Sequence, residues 1–202
     1  MPGETEVFYV SFRLRQSILE EDDLLRAEQL AAAGKNRSGV RQLHALRGEW
    51  QLSLEHWAEA ATSFHEAVRM AHESGKADIE AEASYALANF HLHQLVDINT
   101  EIERLSQAKQ PPHYTLAKLL QVVGEDKQAA KYALAAYKEA WADGEPYVFR
   151  YELNQARALL QELGVAVPDL PSYDPTQDEK LLWEDEVRAA IEQLKADKPE
   201  RK

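Results

Sequence analysis

Cysteine is absent from this 202-residue chain, so it can build no disulfide framework, thiol nucleophile or thiolate metal centre. Glycine and proline are scarce, eight of each, which leaves few interruptions and favours helices. Nowhere do eighteen apolar residues run together, and the opening Met-Pro-Gly-Glu-Thr-Glu has no basic segment leading into an apolar one. The expectation is therefore a soluble, cytoplasmic protein with neither membrane span nor signal peptide. Basic residues are the minority, 23 against 35 acidic, for a net charge of -12. That balance repels nucleic-acid phosphates and anionic lipid surfaces unless a basic patch overrides it, and the sequence contains none. What remains is a chain 45% hydrophobic, dominated by alanine and leucine, and long enough to bury a core without staples.

Those apolar residues recur at helical spacing. Leu43, Leu46, Trp50 and Leu54 form one stripe after Gly39, and Trp57, Ala60, Ala61, Phe64, Ala67, Val68 and Ala71 form a second that ends at Ser74-Gly75. The break at Glu55-His56 makes the two an antiparallel hairpin. A second hairpin runs from Ala77, with Ile79, Ala83, Ala86, Leu87 and Phe90 flanked by Tyr85, Ala88, Leu92 and Leu95. It returns through Ile98, Ile102 and Leu105, with Asp97 as cap, and stops before Pro111-Pro112. A third spans His113 to Val123, turns at Gly124-Glu125-Asp126 and returns through Ala129, Ala133, Ala136, Tyr137, Ala140 and Trp141.

Glu145-Pro146 is expected to open a further helix carrying Leu153, Ala156, Leu159, Leu160 and Leu163, since proline suits a first turn. Ahead of the clear hairpins, Val7 to Leu19 and Leu24 to Ala33 read as another pair, the acids at 20–23 suiting the second helix's N-terminus. Residues 165–176, with prolines at 168, 171 and 175, form a connector that cannot be helical. A last helix over 177–196 presents Trp183, Val187, Ala190, Ile191 and Leu194 on one face and is expected to cap the array. Residues 197–202 form a charged tail expected to fray. The expected fold is all-α, with about nine helices in the chain as a whole and stacked antiparallel hairpins over residues 1–164.

Over roughly residues 22–164, and most clearly over 40–75, the sequence resembles tetratricopeptide repeats, the matching positions lying between Gln42 and Ala71. Gly48 stands at the small position of the first helix, and Trp57, Ala60, Phe64 and Ala67 at the matching positions of the second. Gly48 and Ala60 allow the helices to approach, while Trp57 and Phe64 fill the space between successive hairpins. Gly124, Ala129, Ala133 and Ala136 make a weaker copy. The long first helices look like the extended repeats of bacterial signal-transducing NTPases and regulators, and the stretch from Trp141 through Trp183 resembles the C-terminal ends of such proteins. The resemblance implies an α-solenoid with a concave protein- or peptide-binding face, here with any NTPase module lying upstream in a longer chain. It further implies that Gln42, Ala45, Glu49, Leu52 and Ser53 point into that groove, of which Gln42, Glu49 and Ser53 are the polar candidates for partner contact. Glu49 stands where carboxylate-clamp repeats carry asparagine, so capture of an acidic chain terminus is not expected.

Chemistry-bearing motifs are missing. Gly34-Lys35-Asn36 lacks the spacing of a phosphate loop, and its glycine reads as a helix C-cap. His65-Glu66 begins like a metalloprotease helix, but Arg69 stands where the second histidine would be. His91 and His93 fall on different helix faces, and His65 with His72 would need further ligands. Acid pairs such as Glu20-Glu21 and Asp185-Glu186 read as solvated helix ends, and no nucleophile elbow occurs. No catalytic residue, metal or cofactor is expected. Aromatic residues gather late in the chain, and Tyr173 and Trp183 either anchor a partner or pin the connector and last helix to the array. The expected function is protein or peptide recognition in signalling or scaffolding. The alternative is a regulatory domain that senses a small molecule or signalling peptide in the same concave face.

Overall fold

The computed structural model describes residues 4–94, 97–177 and 183–196, which include ten α-helices and no strand. Four pairs of helices follow one another: α1 (Glu4–Arg15) with α2 (Glu21–Ala33), α3 (Arg37–Ser53) with α4 (Trp57–Glu73), α5 (Ile79–His91) with α6 (Ile98–Ser106), and α7 (His113–Val122) with α8 (Asp126–Trp141). They are completed by α9 (Arg150–Glu162) and, beyond the connector, α10 (Glu184–Ala196), one helix more than the nine or so expected. None of the helices among the described residues is long and apolar enough to cross a membrane.

Where side-chain caps are present, the boundaries follow from sequence. The carboxylates of Asp78 and Asp97 accept from the amides of Ala81 (3.3 Å) and Thr100 (3.1 Å), and the Asn36 side chain accepts from Gly39 (2.9 Å), satisfying first-turn donors of α5, α6 and α3. Two ends depart from expectation. Helix α1 stops at Arg15 and does not reach Leu19, since Ser17 turns left-handed (φ 56°) and the Arg13 guanidinium donates to the Ile18 carbonyl at 2.7 Å. Helix α9 starts at Arg150 and not at Pro146. The Phe149 amide is spent on the Ala140 carbonyl (2.8 Å) and that of Tyr147 on Gly144 (2.7 Å), which ties this stretch back to the end of α8. Gly34, by contrast, is the C-cap of α2 as expected, in right-handed geometry, and the left-handed residue there is Lys35 (φ 53°).

From α1 to α9 each helix packs on its neighbours in sequence, one or two elements away. The core is accordingly a relay of clusters. Val10, Leu14, Leu24 and Leu43 join α1 to α3; Phe64 with Ala60, Ala67, Ala81 and Ala88 joins α4 to α5. Leu87, Leu105, Leu116 and Leu119 join α5 to α7, and Tyr137, Leu153, Leu159 and Leu160 join α8 to α9. Gly48 decides the α3–α4 crossing: a Cβ there would lie 2.7–2.8 Å from the Phe64 ring, so only glycine lets that ring seat against α3. Phe64 therefore packs inside its own hairpin as well as towards α5. Trp57 does bridge hairpins, stacking on His91 of α5 at 3.8 Å between ring centres. A buried hydrogen bond from Ser63 to Gln51 (2.7 Å) and a two-pronged Arg47–Glu28 pair (2.9 and 3.0 Å) fix α3 against α4 and α2.

The proline-rich connector is pinned to the α8–α9 turn. The Trp141 indole donates to the Pro171 carbonyl at 2.7 Å, and Tyr173 meets Tyr147 edge-on at 4.8 Å. A Cβ on Gly144 would sit 2.6 Å from the Tyr173 amide nitrogen, and its φ of +92° also excludes most side chains. Val165, Val167 and Leu170 thereby cover the α8–α9 cluster. The last hairpin is thus closed by the connector, whereas α10, expected as the cap, leaves Trp183, Val187 and Ile191 at 56%, 45% and 46% exposure. The stripe residue Leu95 and the tail at 197–202 lie outside the described residues, as does the Leu194 side chain.

Candidate functional site

Helices α1, α3, α5, α7 and α9 present one end or face to a common groove of about 840 Å³. Its walls come from Glu49, Leu52 and Ser53 of α3, Glu80, Ser84 and Leu87 of α5, and His113, Tyr114, Thr115 and Lys118 of α7. Tyr151, Glu152 and Gln155 of α9 face these, with Arg15 from the end of α1, while Trp57, Glu139 and Phe149 complete the rim. Trp57 belongs to α4, and Glu139, with Ala136 and Ala140, to α8, so seven helices contribute to the lining. Residues 137 apart in sequence meet here: Arg15 donates to Glu152 at 2.8 Å, and its guanidinium lies 6.0 Å from the Tyr151 ring centre.

The polar groups are unequally satisfied. The Thr115 hydroxyl donates to Glu80 at 2.8 Å, and His113 is 2.7 Å from Glu139. Glu49, half-buried on the α3 wall, receives no hydrogen bond from the described residues. Burial pushes its pKa up to about 7; Glu80, Glu152 and Asp78 add to the rise, and Arg15 opposes it. Glu80 is raised too, chiefly by desolvation from the residues around it even though its side chain reaches solvent, and the Thr115 hydrogen bond opposes the rise. Burial also pushes the Tyr114 phenol up to about 12 and raises Tyr151, so both stay protonated as neutral aromatic walls at physiological pH.

Of the residues singled out from sequence, Glu49 and Ser53 face this groove together with Leu52. The Ser53 hydroxyl donates to the Trp50 carbonyl at 2.6 Å and its side chain sits on an exposed rim. Gln42 is exposed but does not line the cavity, and Ala45 packs beside Phe64. Tyr173 belongs to the pinned connector, and Trp183 stands exposed before α10. The groups reached only through the fold are Arg15, Glu80, Tyr114, Tyr151 and Glu152. Single helical stripes cannot reveal them, since each lies on a different element and converges only when the hairpins stack. Among the described residues no group of three or more His, Asp or Glu side chains is placed to hold a metal ion. The chain matches no family model, no curated protein and no solved structure.

Proposed function

We propose that this chain is a tetratricopeptide-like helical-repeat module that binds a protein or peptide segment in its concave groove. The observation that carries this reading is the convergence of seven helices, α3, α5, α7 and α9 foremost, on one open, aromatic-walled cavity containing a carboxylate with no donor among the described residues. Stacked hairpins expose such a face because each buries only the stripe that meets its neighbour, leaving the inner surface of the first helices free. An extended segment or a helix of a partner suits a groove open along its length. The cavity volume, about 840 Å³, also lies in the range of small-molecule sites, which favours a sensing domain as the second reading.

Selection of displayed random dodecapeptides on the full chain at pH 8, with counter-selection on Ser53→Trp, tests the first reading. An indole at this exposed rim position obstructs the groove beside Trp57 without touching the core. Peptides that bind the natural chain and not the variant are the expected result. A pool that binds both alike argues against the groove. A screen in which only small molecules raise the melting temperature would favour the sensor.

A further inference from the structure

The groove carries a definite charge. Glu49, Glu55, Glu80, Glu139 and Glu152 line it against two permanent cations, Arg15 and Lys118. Arg15 is taken by Glu152, and Glu139 by His113. Glu49 is left on the wall with no donor from the described residues, within electrostatic range of Glu80 and of the Tyr151 phenol. A carboxylate in this position costs desolvation, and the Arg15 charge, already paired with Glu152, offsets that cost only in part. The chain itself displays how a cation sits in such surroundings: the Arg15 guanidinium pairs with a carboxylate and lies against Tyr151 while its side chain stays 39% exposed.

We infer that the groove selects a peptide segment bearing a lysine or arginine, whose cationic head pairs with Glu49 and Glu80 between the Tyr114 and Tyr151 rings. This rests on the peptide-binding reading above and names the chemistry of the partner. The ammonium or guanidinium supplies the donors Glu49 lacks, its charge opposes the surplus of carboxylates, and its methylene stem lies along Leu52, Leu87 and the aromatic rings. An acidic segment is excluded by the same surplus. Binding is also pH-dependent. The groups facing Glu49 are Arg15 from α1, Asp78 and Glu80 from α5, and Tyr151 and Glu152 from α9. With its ionisation centred near 7, Glu49 is mostly charged at pH 8 and mostly neutral at pH 6, so affinity for a cation falls about tenfold between them.

The groove-dependent dodecapeptides provide the test. A lysine or arginine at one fixed position is expected throughout the pool. Replacing that residue by norleucine or citrulline should weaken binding at least about tenfold, equivalent to about 1.4 kcal/mol. Glu49→Gln should weaken the parent peptide as much and abolish the pH 8 to pH 6 decline. That variant keeps the shape of the side chain and removes a costly charge, so it folds at least as well as the natural chain, and loss of binding cannot be laid to misfolding. A groove-dependent pool with no fixed basic residue, or one indifferent to Glu49→Gln, overturns the cation inference and leaves peptide binding standing. A pool with no groove-dependent member overturns both.

Discussion

Gly48 and Glu49 are adjacent in sequence and belong to opposite surfaces, because one helical step turns the side chain by about 100°. Gly48 faces α4, where the Phe64 ring occupies the space a Cβ would need. Gly48→Ala should therefore destabilise the fold by about 1–3 kcal/mol through overpacking, despite alanine's better helix propensity. Thermal unfolding of the single variant and of its combination with Phe64→Leu checks this, the smaller side chain restoring part of the loss. Glu49 faces the groove, and its folded pKa of about 7 lies above the ordinary carboxylate value. The folded state thus binds the extra proton, and stability rises as pH falls from about 7 towards about 4.5. Glu49→Gln should raise the melting temperature at pH 8, by at most about 3 kcal/mol of stability and by less where groove water screens the charge. The advantage should vanish near pH 4.5. A carboxylate retained at such a cost is what a binding site requires and a core does not.

At the level of elements, those legible from sequence are the ones that carry their own stops. Helix α6 was readable from Asp97 at one end and Pro111-Pro112 beyond the other, and α7 and α8 from the turn at Gly124. Asp97→Ala should cost about 1 kcal/mol and speed amide exchange in α6, leaving α3 and α4 unchanged, since the cap serves one first turn only. The start of α9 was not legible: whether Pro146 opens a helix depends on the Ala140 carbonyl in the preceding element. The same holds for the groove. Register fixed by Gly48 pointed to Glu49 and Ser53 on a single helix, while Arg15, Tyr151 and Glu152 needed the stacking of hairpins more than a hundred residues apart. Gln42, in the same register, sits one or two turns too early on α3 to reach the cavity.

For the whole molecule, the relay of clusters means that stability passes from hairpin to hairpin and ends at the connector, held by Trp141 and Tyr147. Helix α10 contributes little to that relay, as its exposed Val187 and Ile191 indicate. A chain ending at Gln177 should therefore melt within about 2 °C of the full one, whereas Trp141→Ala should melt well below it. The groove is the part that helix packing creates and folding does not use up. Amide exchange of the full chain with and without a selected basic dodecapeptide locates the ligand directly. Protection should appear in α3 around Glu49–Ser53, in α5 around Glu80–Leu87, in α7 around His113–Lys118 and in α9 around Tyr151–Gln155. Protection confined to the exposed Phe8 and Phe12 of α1, or to α10, would contradict a ligand in the groove.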